Sequence, residues 1–335
     1  METKLFDLKN NQTSQNILFF LFILLCQSYR IVIIKNDTFY NPDEFEWLYY
    51  VQKSNINWHI GSGFDSHTSG PVAIWILQFF FKLLGELSIE NLHKIKIIFE
   101  SIALFSFLII YRNSNEKKAF AIALFFLLTT INSGDFKAYN TEYLLLAILP
   151  FCILLRNTKT SLGILCESVL IFTLPFIKLQ FAPIAALLFM LQMNKSRQLS
   201  NSKRLLVLSS YLILMISPFF FFTKVELTDF IFNYVSKNLW YIKHYSHNSF
   251  FYAICQFIRT LGVHLYYIFI LLLLGFYALA TNIKLFLLEK KYYHFINFLM
   301  LGVAFLCVII PRNNFTHYYV ILFLPSIFFY YRHFV

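Results

Sequence analysis

Apolar runs recur from one end of this 335-residue chain to the other, parted by short loops that carry Lys and Arg. A soluble domain has about 25% charged residues; here the share is 13%, against 58% hydrophobic. Inside a bilayer every backbone N–H and C=O must be bonded internally, so the pattern predicts an all-α polytopic membrane protein. No polar stretch is long enough to build its own core. Residues 1–335 therefore read as one integral membrane domain with no separate soluble domain.

The candidate spans are Ile17–Ile34, Pro71–Leu84, Ile95–Tyr111, Ala119–Ile131, Tyr143–Leu155, Leu162–Ile177, Phe181–Met193, Leu205–Phe222, Phe257–Ala280, Phe295–Ile310 and Tyr318–Tyr331. They amount to a bundle of about 10–11 transmembrane helices, several shorter than the roughly 20 residues of a perpendicular span. Ile17–Ile34 is too long for a cleaved signal and lacks a small-residue cleavage site, so it reads as a first span. The five cysteines lie within apolar runs and show no metal-binding spacing, so they read as small buried hydrophobes.

A net charge of +11 raises the question of nucleic acid. The basic residues instead sit in loops, as cytoplasmic loops and headgroup contacts do, and nucleic acid is not an expected partner. Arg112, Arg156, Lys195, Lys203, Lys290 and Arg332 mark the cytoplasmic side. Counted from the two termini, the crossings disagree by one between Pro71 and Ile131. Pro71–Leu84 is the run expected not to cross, since Gly70-Pro71 breaks its start and Lys82 and Gly85 its end. The unusual polar residues then gather on the outer face.

Asn41-Pro42-Asp43-Glu44-Phe45-Glu46-Trp47 places three of the chain's 17 acidic residues in the first outer loop. Asn41 caps and Pro42 opens a short juxtamembrane helix, and Glu44 sits where a capping-box acid would. Within that helix Asp43, Trp47 and Tyr50 recur at i, i+4 and i+7, laying aromatics on the membrane surface with Asp43 at their edge. Asp65 and His67 precede a Gly-Pro helix start, and carry either a loop role or a site role. Glu142 heads an apolar helix, as a capping acid or as a second acid facing Asp43. Lys178 is a lone cation between two apolar runs, which either snorkels to headgroups or holds a lipid-borne phosphate. Arg312, His317, Tyr318 and Tyr319 add donors on the same face.

In order, these segments resemble the membrane-embedded glycosyltransferases of the C-type fold, within the group of protein O-mannosyltransferases and aminoarabinose transferases. The residues that carry the likeness are Pro42-Asp43-Glu44-Phe45, the stretch from Pro71 through Lys82 to Gly85, Glu142, Lys178, and the late Arg312, His317, Tyr318, Tyr319 and Pro325. They extend across almost the whole chain. Lys137 and Glu142 stand where the group has Arg and Asp, and the extra spans and outer domain of larger members are expected to be absent.

The resemblance implies a polyprenyl-phosphate-linked sugar as donor and a glycan, lipid or protein as acceptor. It implies a bacterial inner membrane, with the site on the outer, periplasmic face. Asp43 would take the acceptor's proton, and Lys178, Arg312 and His317 would steady the leaving phosphate. Glu142 or Glu44 would position the acceptor or bind a divalent metal, and His67, Lys137 and Tyr318 complete the expected substrate contacts. Two rival readings are a carrier or flippase for a polyprenyl-linked glycan and a non-catalytic membrane paralogue. A carrier would place charge at mid-membrane depth and on both faces.

Overall fold

The computed structural model describes residues 2–34, 42–53, 69–112, 139–156, 158, 160–221, 227–228, 230–244, 249–263, 287, 292–310 and 321. Every regular element among them is helical: α1 (Glu2–Ile34), α2 (Pro42–Lys53), α3 (Pro71–Leu84), α4 (Ile89–Ile110), α5 (Thr141–Arg156) and α6 (Ser161–Ile177). A 3₁₀ turn (Leu179–Phe181) leads into α7 (Ala182–Leu199) and α8 (Asn201–Phe221). A π-helical turn (Ile231–Ser236) then precedes α9 (Lys237–His244), α10 (Phe250–Val263) and α11 (Tyr292–Ile309). The all-α expectation holds. The expected run Ala119–Ile131, Tyr318–Tyr331 apart from Ile321, and Phe257–Ala280 beyond Val263 lie outside the described residues.

Local chemistry sets the helix ends near the rim of the bundle. Pro71 opens α3, where its missing N–H costs nothing. Gly85 closes it in the left-handed conformation (φ 85°), donating its N–H to the Phe81 carbonyl. Ser88 then caps α4 by accepting the Asn91 N–H at 3.3 Å. The short break turns the chain sharply, and α3 and α4 meet at 109°.

Contacts along the helices fix their directions. Phe20 stacks near Phe105 and Arg30 pairs with Glu100, so α1 and α4 are antiparallel. Glu142 meets Lys178 and Arg156 meets Glu167, which makes α5 and α6 an antiparallel hairpin. Ser168, Gln192 and Tyr211 continue the up-and-down path through α6, α7 and α8. One end, here the rim, collects the end of α1, the starts of α3, α4 and α5, the end of α6, and α2. The other end, the base, collects Arg112, Arg156, Lys195 and Lys203.

At the rim the chain makes one very close approach. Ser69 bridges Lys178 in antiparallel fashion, and the Gly70 N–H donates to the Ile177 carbonyl at 2.7 Å. A Cβ at Gly70 would fall 1.9 Å from the Phe176 carbonyl oxygen and 2.8 Å from the buried Tyr234 hydroxyl, which itself donates to the Pro175 carbonyl. Burial also holds the Tyr234 phenol above its ordinary pKa, so it stays a donor. Gly70→Ala is therefore expected to cost about 1–3 kcal/mol through overpacking. Gly302→Ala, which meets open space, is the near-neutral control. Thermal melting of the two purified variants in detergent compares them.

The core is aromatic and aliphatic: Tyr139, Tyr143, Phe107, Phe181, Ile74, Leu77 and Leu92 are fully buried. Large apolar side chains also cover the outside, among them Leu25, Tyr29 and Val32 on α1, Leu212 and Ile213 on α8, and Phe251 on α10. Of the cysteines expected to be buried, Cys152 and Cys307 are, whereas Cys26 is half-buried and Cys166 and Cys255 are exposed on outward helix faces. By length and composition, one described helix, over Thr13–Val32, suffices to cross a membrane. The α3–α4 pair passes only as a bent unit.

Candidate functional site

The acids of the first loop divide by helical geometry. In α2 the buried stripe is Glu44, Trp47 and Val51, at i, i+3 and i+7, and Asp43, Phe45, Glu46 and Tyr49 are exposed. Trp47 therefore turns inward, meeting the Tyr139 ring edge-on at 5.6 Å, and does not lie on the membrane surface with Asp43. The expected stripe Asp43–Trp47–Tyr50 is corrected by about one helical step.

Asn41, the expected capping partner of Glu44, lies outside the described residues, and Glu44 has a long-range role beyond its place at the helix start. Its side chain is fully buried, and Oε1 accepts the Tyr139 backbone N–H at 2.9 Å. Nε2 of His93, on α4, lies 2.8 Å from the same oxygen but off the line of a hydrogen bond, so the contact is one of charge when the ring is protonated. One carboxylate thus ties α2 to both α4 and the start of α5. Because successive residues of a helix point about 100° apart, fixing Glu44 inward turns Asp43 outward.

Glu44→Ala leaves the buried Tyr139 N–H unsatisfied, at an expected cost of about 1–3 kcal/mol. Glu44→Gln keeps an acceptor and should cost less. Melting of the two variants and wild type in detergent gives the order.

The second acid is brought to the Lys. Pro175 falls in the last turn of α6, and Lys178 follows in an extended conformation (φ −157°, ψ 129°). Its Nζ reaches Glu142 Oε1 at 2.7 Å, and Gln180 Nε2 donates to the same oxygen at 3.2 Å. Thr141 Oγ1 lies 3.5 Å from the other carboxylate oxygen. Lys178 and Glu142 are both buried. Lys178 is thus engaged by a carboxylate, neither snorkelling outward nor standing as a lone cation.

Tyr139 sits between the two acids. Its ring packs on Trp47 and Phe99, and its hydroxyl is buried with no hydrogen-bond partner among the described residues. Burial first, and the Glu142 charge second, push its phenol well above the usual range. It stays protonated and so keeps an O–H to donate.

Several members of this rim carry no mark in the loop motifs. His93, Lys96 and Glu100 share the buried face of α4, at i, i+3 and i+7. Glu100 accepts from Arg30 NH1 at 2.6 Å, with Lys96 3.8 Å from its other oxygen and 4.6 Å above the Tyr143 ring. The signal for them was present, since charge inside an apolar run is a site candidate by default. Of the other expected contacts, His67, Lys137, Arg312, His317 and Tyr318 lie outside the described residues.

Charge is not confined to the rim. Arg156 Nε pairs with buried Glu167 at 3.1 Å near the base. Inward of it, Gln192 donates to Ser168 Oγ at 3.0 Å and accepts from the Tyr211 hydroxyl at 3.0 Å. These bonds join α6, α7 and α8 where apolar packing alone does not fix a register. The expectation of one polar face is corrected accordingly. Among the described residues no group of three or more His, Cys, Asp and Glu is arranged to hold a metal ion.

No protein-family model, no curated protein and no solved structure matches this chain.

Proposed function

We propose that the chain is an integral membrane glycosyltransferase, crossing the bilayer many times and acting at the outer face of a bacterial inner membrane. The sugar moves from a polyprenyl-phosphate donor to a hydroxyl or amine of a glycan, lipid or protein acceptor. The observation that carries the reading is the rim itself: Glu44 and Glu142 are buried and tied to neighbouring elements, while Asp43 is turned outward beside them. Apolar side chains exposed on α1, α8 and α10 favour lipid as the surrounding medium. The 109° bend at α3 fits a helix that lies along the surface instead of crossing.

In this mechanism the acceptor oxygen attacks the anomeric carbon and its proton passes to the Asp43 carboxylate. The bond from that carbon to the phosphate oxygen breaks, and the electron pair leaves with the polyprenyl phosphate. Charge growing on the phosphate is met by Lys178, Arg312 and His317, as the resemblance implies. Lys178 is already paired with Glu142, so Arg312 and His317 carry more of this task than Lys178 does. Glu44 acts through position, by holding α2 so that Asp43 faces the acceptor.

Buried pairs near both ends of the bundle are also what a carrier for a polyprenyl-linked glycan would need. A screen of radiolabelled polyprenyl-phosphate sugars on the purified chain in proteoliposomes separates the two readings. Transfer of label to an acceptor supports the enzyme. Donor left intact while labelled lipid-linked glycan appears in the opposite leaflet overturns it in favour of the carrier.

A further inference from the structure

We infer that Arg30 holds the phosphate group of a membrane lipid at the seam between α1 and α4, on the outward side of the rim and on residues other than Asp43. The inference rests on the bilayer part of the proposed function and not on sugar transfer. Arg30 lies near the outer end of Thr13–Val32, the described helix long and apolar enough to cross a membrane. Its neighbours Leu25, Tyr29 and Val32 are all exposed, on the side where lipid would lie.

The guanidinium is held from one edge. NH1 donates to Gln27 Oε1 at 2.8 Å and to Glu100 Oε2 at 2.6 Å, which uses both of its hydrogens. Among the described residues Nε and NH2 have no partner, and the side chain keeps 27% of its surface open. That is the free half of a planar fork, pre-oriented by a buried carboxylate and a buried amide. A guanidinium edge offers two parallel donors to a tetrahedral oxyanion, the geometry for which Arg exceeds Lys.

Local charge also favours an anion. Glu100 is shared between Arg30 and Lys96, so these three groups sum to one excess positive charge. Lys96 is buried and lies over the Tyr143 ring, leaving Arg30 as the member of the trio that reaches the surface. Snorkelling alone would need no carboxylate behind the arginine. A phosphate on the free edge completes its hydrogen bonding without breaking the pair with Glu100.

The test is lipid binding by the full chain, purified in a phosphate-free maltoside detergent and read by native mass spectrometry. The probes are dioleoyl phosphatidate, a polyprenyl phosphate, inorganic phosphate, and oleate as an anion without phosphate. Phosphatidate and polyprenyl phosphate should bind wild type, with Arg30→Gln weaker by roughly tenfold or more. Arg30→Lys keeps a charge for Glu100 and loses the fork, and should fall in between. If Arg30→Gln does not fold, the comparison of Arg30→Lys with wild type decides.

Equal binding of both lipids assigns the site to any phosphate headgroup, and preference for polyprenyl phosphate assigns it to the donor. Saturation by inorganic phosphate at similar concentration assigns it to free phosphate. Wild-type affinity in Arg30→Gln or Arg30→Lys, or oleate binding as tightly as phosphatidate, overturns the inference. Sugar transfer is not read in this assay, so loss of the enzyme reading and loss of this site give different results.

Discussion

Replacing Lys178 by Met should destabilise the folded chain by about 3–5 kcal/mol, because it removes the cation 2.7 Å from the buried Glu142 carboxylate. Gln180 keeps one hydrogen bond to that carboxylate at 3.2 Å, but a neutral amide does not balance its charge. Lys178 also forms the bridge to Ser69, so relaxation around the lost pair is transmitted to the start of α3. Glu142→Ala leaves the complementary orphan, a buried ammonium, and should cost a similar amount. The double replacement Lys178→Met with Glu142→Leu removes both charges and should recover most of the loss, since a buried pair can be exchanged for apolar packing at little cost. Melting temperatures of the wild type, the two single variants and the double variant in one detergent form the cycle. Additive losses in the double variant would show that the two side chains do not act as a pair.

Asp43→Asn should have the opposite profile, with chemistry lost and the fold kept. The side chain is exposed, and Asn preserves its shape and helix-start character while removing the basic oxygen. A positioned general base contributes about 10²–10⁴-fold to a rate, and the transfer rate should fall within that range. Donor affinity should stay near wild type, because the phosphate contacts lie on other residues. One residue along, Glu44→Gln perturbs stability before chemistry, since its carboxylate faces His93 and the Tyr139 N–H. Adjacent acids with contrasting responses would be hard to obtain from a simple loop of charge.

Which acid of the first loop turns inward was not legible in the sequence. Two apolar stripes share Trp47, one containing Asp43 and Tyr50 and the other Glu44 and Val51, and both have helical spacing. Tertiary partners choose between them. His93 and Tyr139 lie 49 and 95 residues further on, and no local pattern reveals that they meet Glu44. Position at the helix start suggested a cap for Glu44, and its long-range bond to Tyr139 carries no local signal.

The Glu142–Lys178 pair was nearer to being read. Both residues stand out individually, and two helices of similar length joined by a short loop return the chain to its starting level, so the acid heading α5 and the Lys ending α6 meet. Arg30, Lys96 and Glu100 were passed over for a different reason. The apolar runs absorb them, and average hydropathy hides charged residues that satisfy one another across helices. The bounds of α3 were the most legible part: Pro71 and Gly85 act through their own backbone chemistry, and α3 begins and ends where they require, whereas the Ser88 cap that starts α4 before Ile95 was not read.

The central claim is that Asp43 is the base for sugar transfer from a polyprenyl-phosphate donor. Its most direct test is the single-turnover rate of label transfer by wild type and by Asp43→Asn, in proteoliposomes saturated with donor. The account predicts transfer by wild type and a loss of about 10²–10⁴-fold in the variant, with donor still bound. Transfer at the wild-type rate by Asp43→Asn would contradict it.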